Sequence, residues 1–200
     1  VDNEAGDPHF HYQPDPDHPG WSTWALRDET RYNALLGRML VRQDGDLARV
    51  RMFPQRQHSN LADIVHGAVT LGFIDVSLFA AARVFGCLGD GPALTLDLST
   101  QFIGPGQLGR PLDAEVELLR ETRRLVFLRG IVPQDAEQVA AFAGRMYLTM
   151  GMMGGMGGMG LMNSMAGMSG VGGAGVSGGY FDPRASAIHS MVSGLGGGLA

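Results

Sequence analysis

Between His66 and Phe85 the chain runs for about 20 residues with only Asp75 and Arg83 charged. Beyond the first turn of this run, Gly72 is its only glycine and it holds no proline. A helix of that length spans roughly 30 Å. It is apolar nearly all round, so it is expected to be buried rather than half exposed. Any fold open to this chain must therefore wrap other elements around one long helix.

The flanking segments read as strands. Gly37–Gln43 and Leu47–Phe53 are short runs on either side of Asp44-Gly45-Asp46, and Asp-Gly between such runs signals a hairpin. After the helix, Gly86 and Gly89 mark its exit. Leu94, Leu96 and Leu98 then alternate with Thr95, Asp97 and Ser99, the period of a half-buried strand. Gly104-Pro105-Gly106 reads as a turn. Leu112–Glu121 and Leu125–Pro133 form a second hairpin about Thr122-Arg123-Arg124, and Val139–Leu148 closes the series. A buried helix wrapped by a meandering antiparallel sheet is an α+β arrangement, and the strands after the helix run in sequence order, which favours neighbour pairing among them. Trp21 and Trp24 are expected to lead into a second helix over Ser22–Leu35, with Arg27 and Arg31 one turn apart, covering a sheet edge.

Composition sets the outer limits. Residues 1–20, with Asp7-Pro8 and Pro14-Asp15-Pro16, read as an irregular arm whose His9, His11 and His18 lack metal-ligand spacing and are expected at the surface. Residues 21–150 have the make-up of an ordinary domain. From 151 to 200 the chain is dominated by Gly, Met, Ser and Ala, with Met153, Met156, Met159, Met162, Met165 and Met168 at every third position. A step of three makes no stable helical face, and the glycines disfavour helix. The segment is expected to be a flexible low-complexity tail, with a short helix about Ala185–Val192. It resembles the Gly-Gly-Met tails of bacterial chaperonins in composition only. Thioethers suit Cu(I), but the tail has no cysteine and only His189, so no metal and no cofactor is expected. The formal net charge of −5 gives no electrostatic case for nucleic acid or an anionic membrane surface. The single cysteine, Cys87, fits a reducing compartment, and no basic-then-apolar leader opens the sequence, so a cytoplasmic location is expected.

The residues about the long helix carry a pattern. Asn60, five residues, His66-Gly67, and then Asp75 nine residues after the histidine resemble the signature of hotdog-fold acyl-CoA thioesterases of the phenylacetic-acid (PaaI-like) type. That signature has a second glycine where this chain has Ala68. Thr95-Leu96-Asp97-Leu98, Phe102-Ile103-Gly104-Pro105 and Leu108-Gly109 also match the family's strand and turn. The likeness covers roughly residues 35–148. It implies a hotdog fold and hydrolysis of an acyl-CoA to free acid and CoA. It also implies a supporting role for Thr95, which falls where the family has a catalytic Ser or Thr.

The chemistry of these residues supports that expectation. The first N–H groups of a helix have no intrahelical partner and carry partial positive charge. An N–H at Gly67 can therefore stabilise a thioester oxyanion, with Ala68 beside the substrate. Asp75 can attack the carbonyl or deprotonate a water. Asn60 can orient that water or donate to the substrate, and His66 is favoured as a structural residue of the loop. Gly67 and Asp75 lie roughly 12 Å apart along one helix, so they reach one carbonyl only from two antiparallel copies. A homodimer, or a dimer of dimers, is expected. Arg123 and Arg124, with Arg83, Arg110 and Arg120 as further cations, are candidates for the CoA phosphates. The alternative is a non-catalytic acyl-CoA-binding or sensing protein on the same fold.

Overall fold

The long apolar run forms α1, Gly67–Val84, as its pattern predicts. The computed structural model describes residues 9–89 and 91–149. The tail, its Met repeat and its short helix lie outside the described residues. In chain order the strands are β1 (Phe10–His11), β2 (Ser22–Thr23), β3 (Ala25–Leu26), β4 (Met39–Asp44), β5 (Leu47–Met52), β6 (Ala93–Phe102), β7 (Leu112–Glu121), β8 (Leu125–Gln134) and β9 (Glu137–Leu148). Two 3-10 turns, Tyr32–Leu36 and Arg56–His58, complete the set.

Seven strands form one sheet in the order β2-β4-β5-β7-β8-β9-β6, and β1 and β3 form a separate pair. Every pairing is antiparallel. The β4–β5 hairpin turns on Gly45 and Asp46, with Gly45 at φ 63°, the left-handed conformation that a two-residue hairpin turn requires. α1 packs against β4, β5, β6, β7 and β9. Its Phe73, Ile74 and Leu78 are fully buried with Met39, Met52, Leu112, Leu128 and Met146 in one core.

Burial of α1 is one-sided. Thr70, Phe73, Ile74, Val76, Ser77, Leu78 and Ala80–Ala82 are buried. Ala68, Gly72, Asp75 and Phe79, at i, i+4, i+7 and i+11, form a stripe that a single chain does not fully cover. The all-round apolar sequence thus does not mean all-round burial in one copy. The same composition makes α1 long and apolar enough to cross a membrane by length and hydropathy alone, yet half of it packs under the sheet.

The expected helix over Ser22–Leu35 does not form. Ser22 and Thr23 pair with Val41 and Leu40, and Ala25 and Leu26 pair with His11 and Phe10. Trp21 and Trp24 are three positions apart, an odd step that puts them on opposite sides of an extended chain. Trp24 enters the core and stacks on Phe10 at 4.5 Å, whereas the Trp21 ring is met by the guanidinium groups of Arg42 and Arg51, each at 4.6 Å from its centroid. Backbone pairing along β4 outweighs the local preference, and the segment covers that sheet edge as a strand. The arm before it is pinned by buried Asp15, which accepts hydrogen bonds from Arg38, His18 and the Asp17 backbone. The Arg38 guanidinium, above all, holds the Asp15 carboxyl down to about 2. His18 is thus half-buried and bonded rather than simply a surface residue.

β6 also departs from its simple alternation. A register shift between Thr95 and Asp97 reverses the phase of the strand. Leu94 and Leu96 are 53% and 45% exposed, while Thr95 turns toward α1 and Asp97 pairs with Arg145 on the outer face. Beyond the shift Leu98 faces the core. β6 is the last strand of the sheet, so its outer edge is unpaired among the described residues.

Candidate active site

The loop before α1 is built by its polar side chains. The Asn60 side-chain Oδ1 accepts from the N–H of Ala62 at 2.8 Å and of Ile64 at 3.4 Å, closing a turn with Asn60 N–H to Ile64 O at 2.9 Å. Both neighbours are donors, so the oxygen must face them and the Nδ2 amide must face away. Nδ2 has no partner among the described residues. His58 is buried with both ring nitrogens bonded: its Nδ1 accepts from Gln55 N–H at 2.9 Å and its Nε2–H donates to Leu35 O at 2.7 Å. His58 O then accepts from His66 N–H at 2.8 Å. One histidine therefore ties the Tyr32–Leu36 turn to the start of α1.

His66 caps the helix. Its Nδ1 accepts from Ala68 N–H at 3.0 Å, which requires the ring proton on Nε2. Its carbonyl accepts from Val69 and Thr70 at 2.9 and 3.1 Å. Of the first four N–H groups of α1, Gly67 alone is left without a partner among the described residues. A Cβ added at Gly67 would sit 3.5 Å from Phe102 Cζ, an ordinary contact, so one chain does not itself demand glycine there. An open depression of about 770 Å³ adjoins this loop, bounded by Arg56, Asn60, Leu61, Ala62, Asp63 and His66.

Asp75 stands on the incompletely covered stripe of α1. Thr95 Oγ1–H donates to its Oδ1 at 2.6 Å, the short distance of a hydrogen bond to a carboxylate. Oδ2 has no partner among the described residues. The phase reversal in β6 makes this contact, because a regular strand with Leu94 and Leu98 inward would point Thr95 away. Asp75 does not line the depression at the Asn60 loop. Eight residues of continuous helix separate it from Gly67, about 12 Å at 1.5 Å per residue.

Gly72 has a local cause. A Cβ there would collide with the Tyr32 hydroxyl and lie 3.0 Å from its Cζ. The helix accepts a glycine that costs about 1 kcal/mol relative to alanine, and the Tyr32 ring takes the space. Nothing in the sequence pattern links residues 32 and 72, and this contact was beyond sequence reasoning.

The candidate cations separate clearly. Arg110 pairs with Asp135 at 2.7 Å and Arg83 lies over the Tyr12 ring. Arg120, Arg123 and Arg124 are exposed and carry no side-chain partner among the described residues. Thr95, Met146 and Val126 share one rung across β6, β9 and β8. Arg124 precedes Val126 by two residues, so its backbone lies about 12 Å from that of Thr95. The lone thiol of Cys87 is buried and pushed up to about 11, chiefly by that burial, so it is no nucleophile in neutral solution. Among the described residues no three His, Cys, Asp or Glu side chains converge to hold a metal ion.

Comparison with known proteins bears on this arrangement. The thioesterase superfamily pattern matches residues 62–141. No curated protein matches the chain. The E. coli PaaI protein from the phenylacetic acid degradation operon superposes with a TM-score of 0.50 at 22% identity, over 59% of this chain and 83% of that one. A variant of the phenylacetic acid degradation protein PaaI from Thermus thermophilus gives 0.50 at 22%, over 59% and 98%. A hypothetical thioesterase protein from Streptococcus pneumoniae, solved with coenzyme A, gives 0.52 at 15%, over 58% and 90%. At such identities the structures speak for the fold. Residues 62–141 thus carry the thioesterase superfamily pattern, on a hotdog fold of the kind found in the PaaI proteins.

Proposed function

We propose that this protein hydrolyses acyl-CoA thioesters as a homodimer with two equivalent sites. The observation that carries the reading is the state of two groups on α1. The Asp75 carboxylate is held by Thr95 at 2.6 Å with one oxygen open, on a helix face that one chain leaves partly uncovered. The Gly67 N–H at the start of the same helix has no partner among the described residues. A second copy, packed antiparallel along the part of this stripe that the Tyr32 ring leaves open, brings its Gly67 opposite this Asp75. The unpaired edge of β6, with exposed Leu94 and Leu96, supports such an assembly.

In that site the thioester oxygen accepts from Gly67 N–H, where a donor of this kind contributes about 3–4 kcal/mol to the transition state. Asp75 of the other copy faces the carbonyl carbon. As general base it takes a proton from water while the water oxygen adds to the carbon. As nucleophile it adds directly, and water then releases the acid from the acyl-enzyme. Either way the C–S bond breaks, and the CoA thiolate takes up a proton. The Asn60 Nδ2 amide is the loop's remaining donor for the water or substrate. Arg123 and Arg124, without side-chain partners among the described residues, offer forks of donors to phosphate.

The test is steady-state hydrolysis of an acyl-CoA panel by the wild type and Asp75→Asn, with sedimentation to weigh the particle. The expected outcome is a dimer or a multiple of it, and a kcat reduced at least 100-fold in a folded variant. Equal rates in the two proteins reject the role of Asp75, and a monomeric active species rejects the shared site.

A further inference from the structure

The geometry points to Tyr32 as the residue that limits the size of the acyl group. The inference rests on the thioesterase reading above and goes beyond it, because no part of the family pattern reaches residue 32.

Three features of the molecule converge on this side chain. The ring occupies the space that any side chain at Gly72 would need. Gly72 lies three residues before Asp75 and four after Ala68, on the stripe that faces the reaction. The ring therefore stands against the helix one turn from the carboxylate. Second, Tyr32 is held there without being needed as a core residue. It is 54% exposed, whereas Leu36 of the same turn is fully buried, and the turn is further fastened by the His58 hydrogen bond to Leu35 O. Third, the Tyr32 hydroxyl has no partner among the described residues.

A ring that packed for stability alone would be buried. This one is carried to the edge of the site by an anchored turn, and the helix gives up propensity at Gly72 to receive it. An acyl chain leaving the thioester along the stripe from Asp75 meets the Tyr32 ring after about one helical turn. The end of the ring that lies against Gly72 closes that path, so groups longer than the intervening space are excluded. Pockets built this way discriminate by one or two methylenes, about 10–200-fold in kcat/KM.

The experiment uses straight-chain acyl-CoAs from two to twelve carbons with the full-length wild type, Tyr32→Phe, Tyr32→Ala, Gly72→Ala and the Tyr32→Ala/Gly72→Ala double variant. Tyr32→Phe keeps the wall and is expected to keep the wild-type chain-length profile. Tyr32→Ala is expected to raise kcat/KM for acyl groups beyond the wild-type cut-off by about tenfold or more. Gly72→Ala displaces the ring and should move the profile the same way, while its thermal midpoint holds or rises because alanine favours helix. In the double variant Gly72→Ala should add nothing to the shift, since its effect passes through Tyr32. Inhibition by free CoA should be the same in all five proteins.

An unmoved profile in Tyr32→Ala and Gly72→Ala, with hydrolysis intact, overturns the assignment of Tyr32 and leaves the thioesterase reading standing. A wild type that hydrolyses no member of the series overturns both. A Gly72→Ala shift that persists undiminished in the Tyr32→Ala background also refutes the wall.

Discussion

His66 offers a sharp test, because its ring can be read either as a helix cap or as an acid–base group. Its Nδ1 accepts from Ala68 N–H at 3.0 Å, and its backbone is extended at φ −65° and ψ 137°, the geometry of an N-cap residue. Replacing a good N-cap by alanine costs about 1 kcal/mol. The described domain has roughly 140 residues. An unfolding entropy of about 2.1 cal/mol/K per residue makes the transition shift by about 3 °C for that loss. His66→Ala is therefore expected to melt about 3 °C lower, and to lose some activity as the Gly67 N–H drifts. Asparagine places an oxygen where Nδ1 now sits and is among the best N-cap residues. His66→Asn should recover the wild-type midpoint and keep kcat within about threefold. Removal of a general acid or base instead lowers kcat by about 10²–10⁴-fold. Calorimetry and steady-state kinetics on the three proteins decide the matter. A His66→Asn protein that melts like wild type but turns over at least about 100-fold more slowly would falsify the capping role.

Asn60→Asp keeps the oxygen that closes the loop and deletes the Nδ2 donor, so its circular dichroism and melting should match wild type while kcat falls; unchanged kcat would reduce Asn60 to a turn residue. Thr95→Val removes a hydrogen bond to a carboxylate worth about 1.5–3 kcal/mol, or about 10–100-fold in kcat if the bond persists in the transition state, and Thr95→Ser should restore most of it. Phe73→Ala opens a cavity in the fully buried core and should destabilise by about 3–5 kcal/mol in denaturant titration. Asp15 has a folded-state pKa lowered to about 2 from 3.8, so it stabilises the arm above its unfolded value and that contribution is lost as pH falls from about 4 toward 2. Tryptophan fluorescence should report that acid step, and Asp15→Asn should flatten it.

Much of this protein was legible along the chain. The near-chargeless run to Phe85 dictated one central helix because nothing else buries twenty such residues. The strands of two hairpins followed from period and turn residues, and Asn60, His66, Gly67 and Asp75 stood out through their resemblance to the hotdog thioesterase pattern. All are local patterns, with the partners close together along the chain. The segment after Trp21 failed the same logic, because its hydrogen bonds go to the edge of β4, a partner that local preference does not see. The phase of β6 was likewise set by pairing with β9, and that reversal is what turns Thr95 to Asp75. Which first-turn N–H stays free depended on where the His66 ring settles, and the use of Gly72 depended on a tyrosine forty positions earlier. Periodicity reports what each residue prefers to bury; only tertiary pairing decides which distant group it meets.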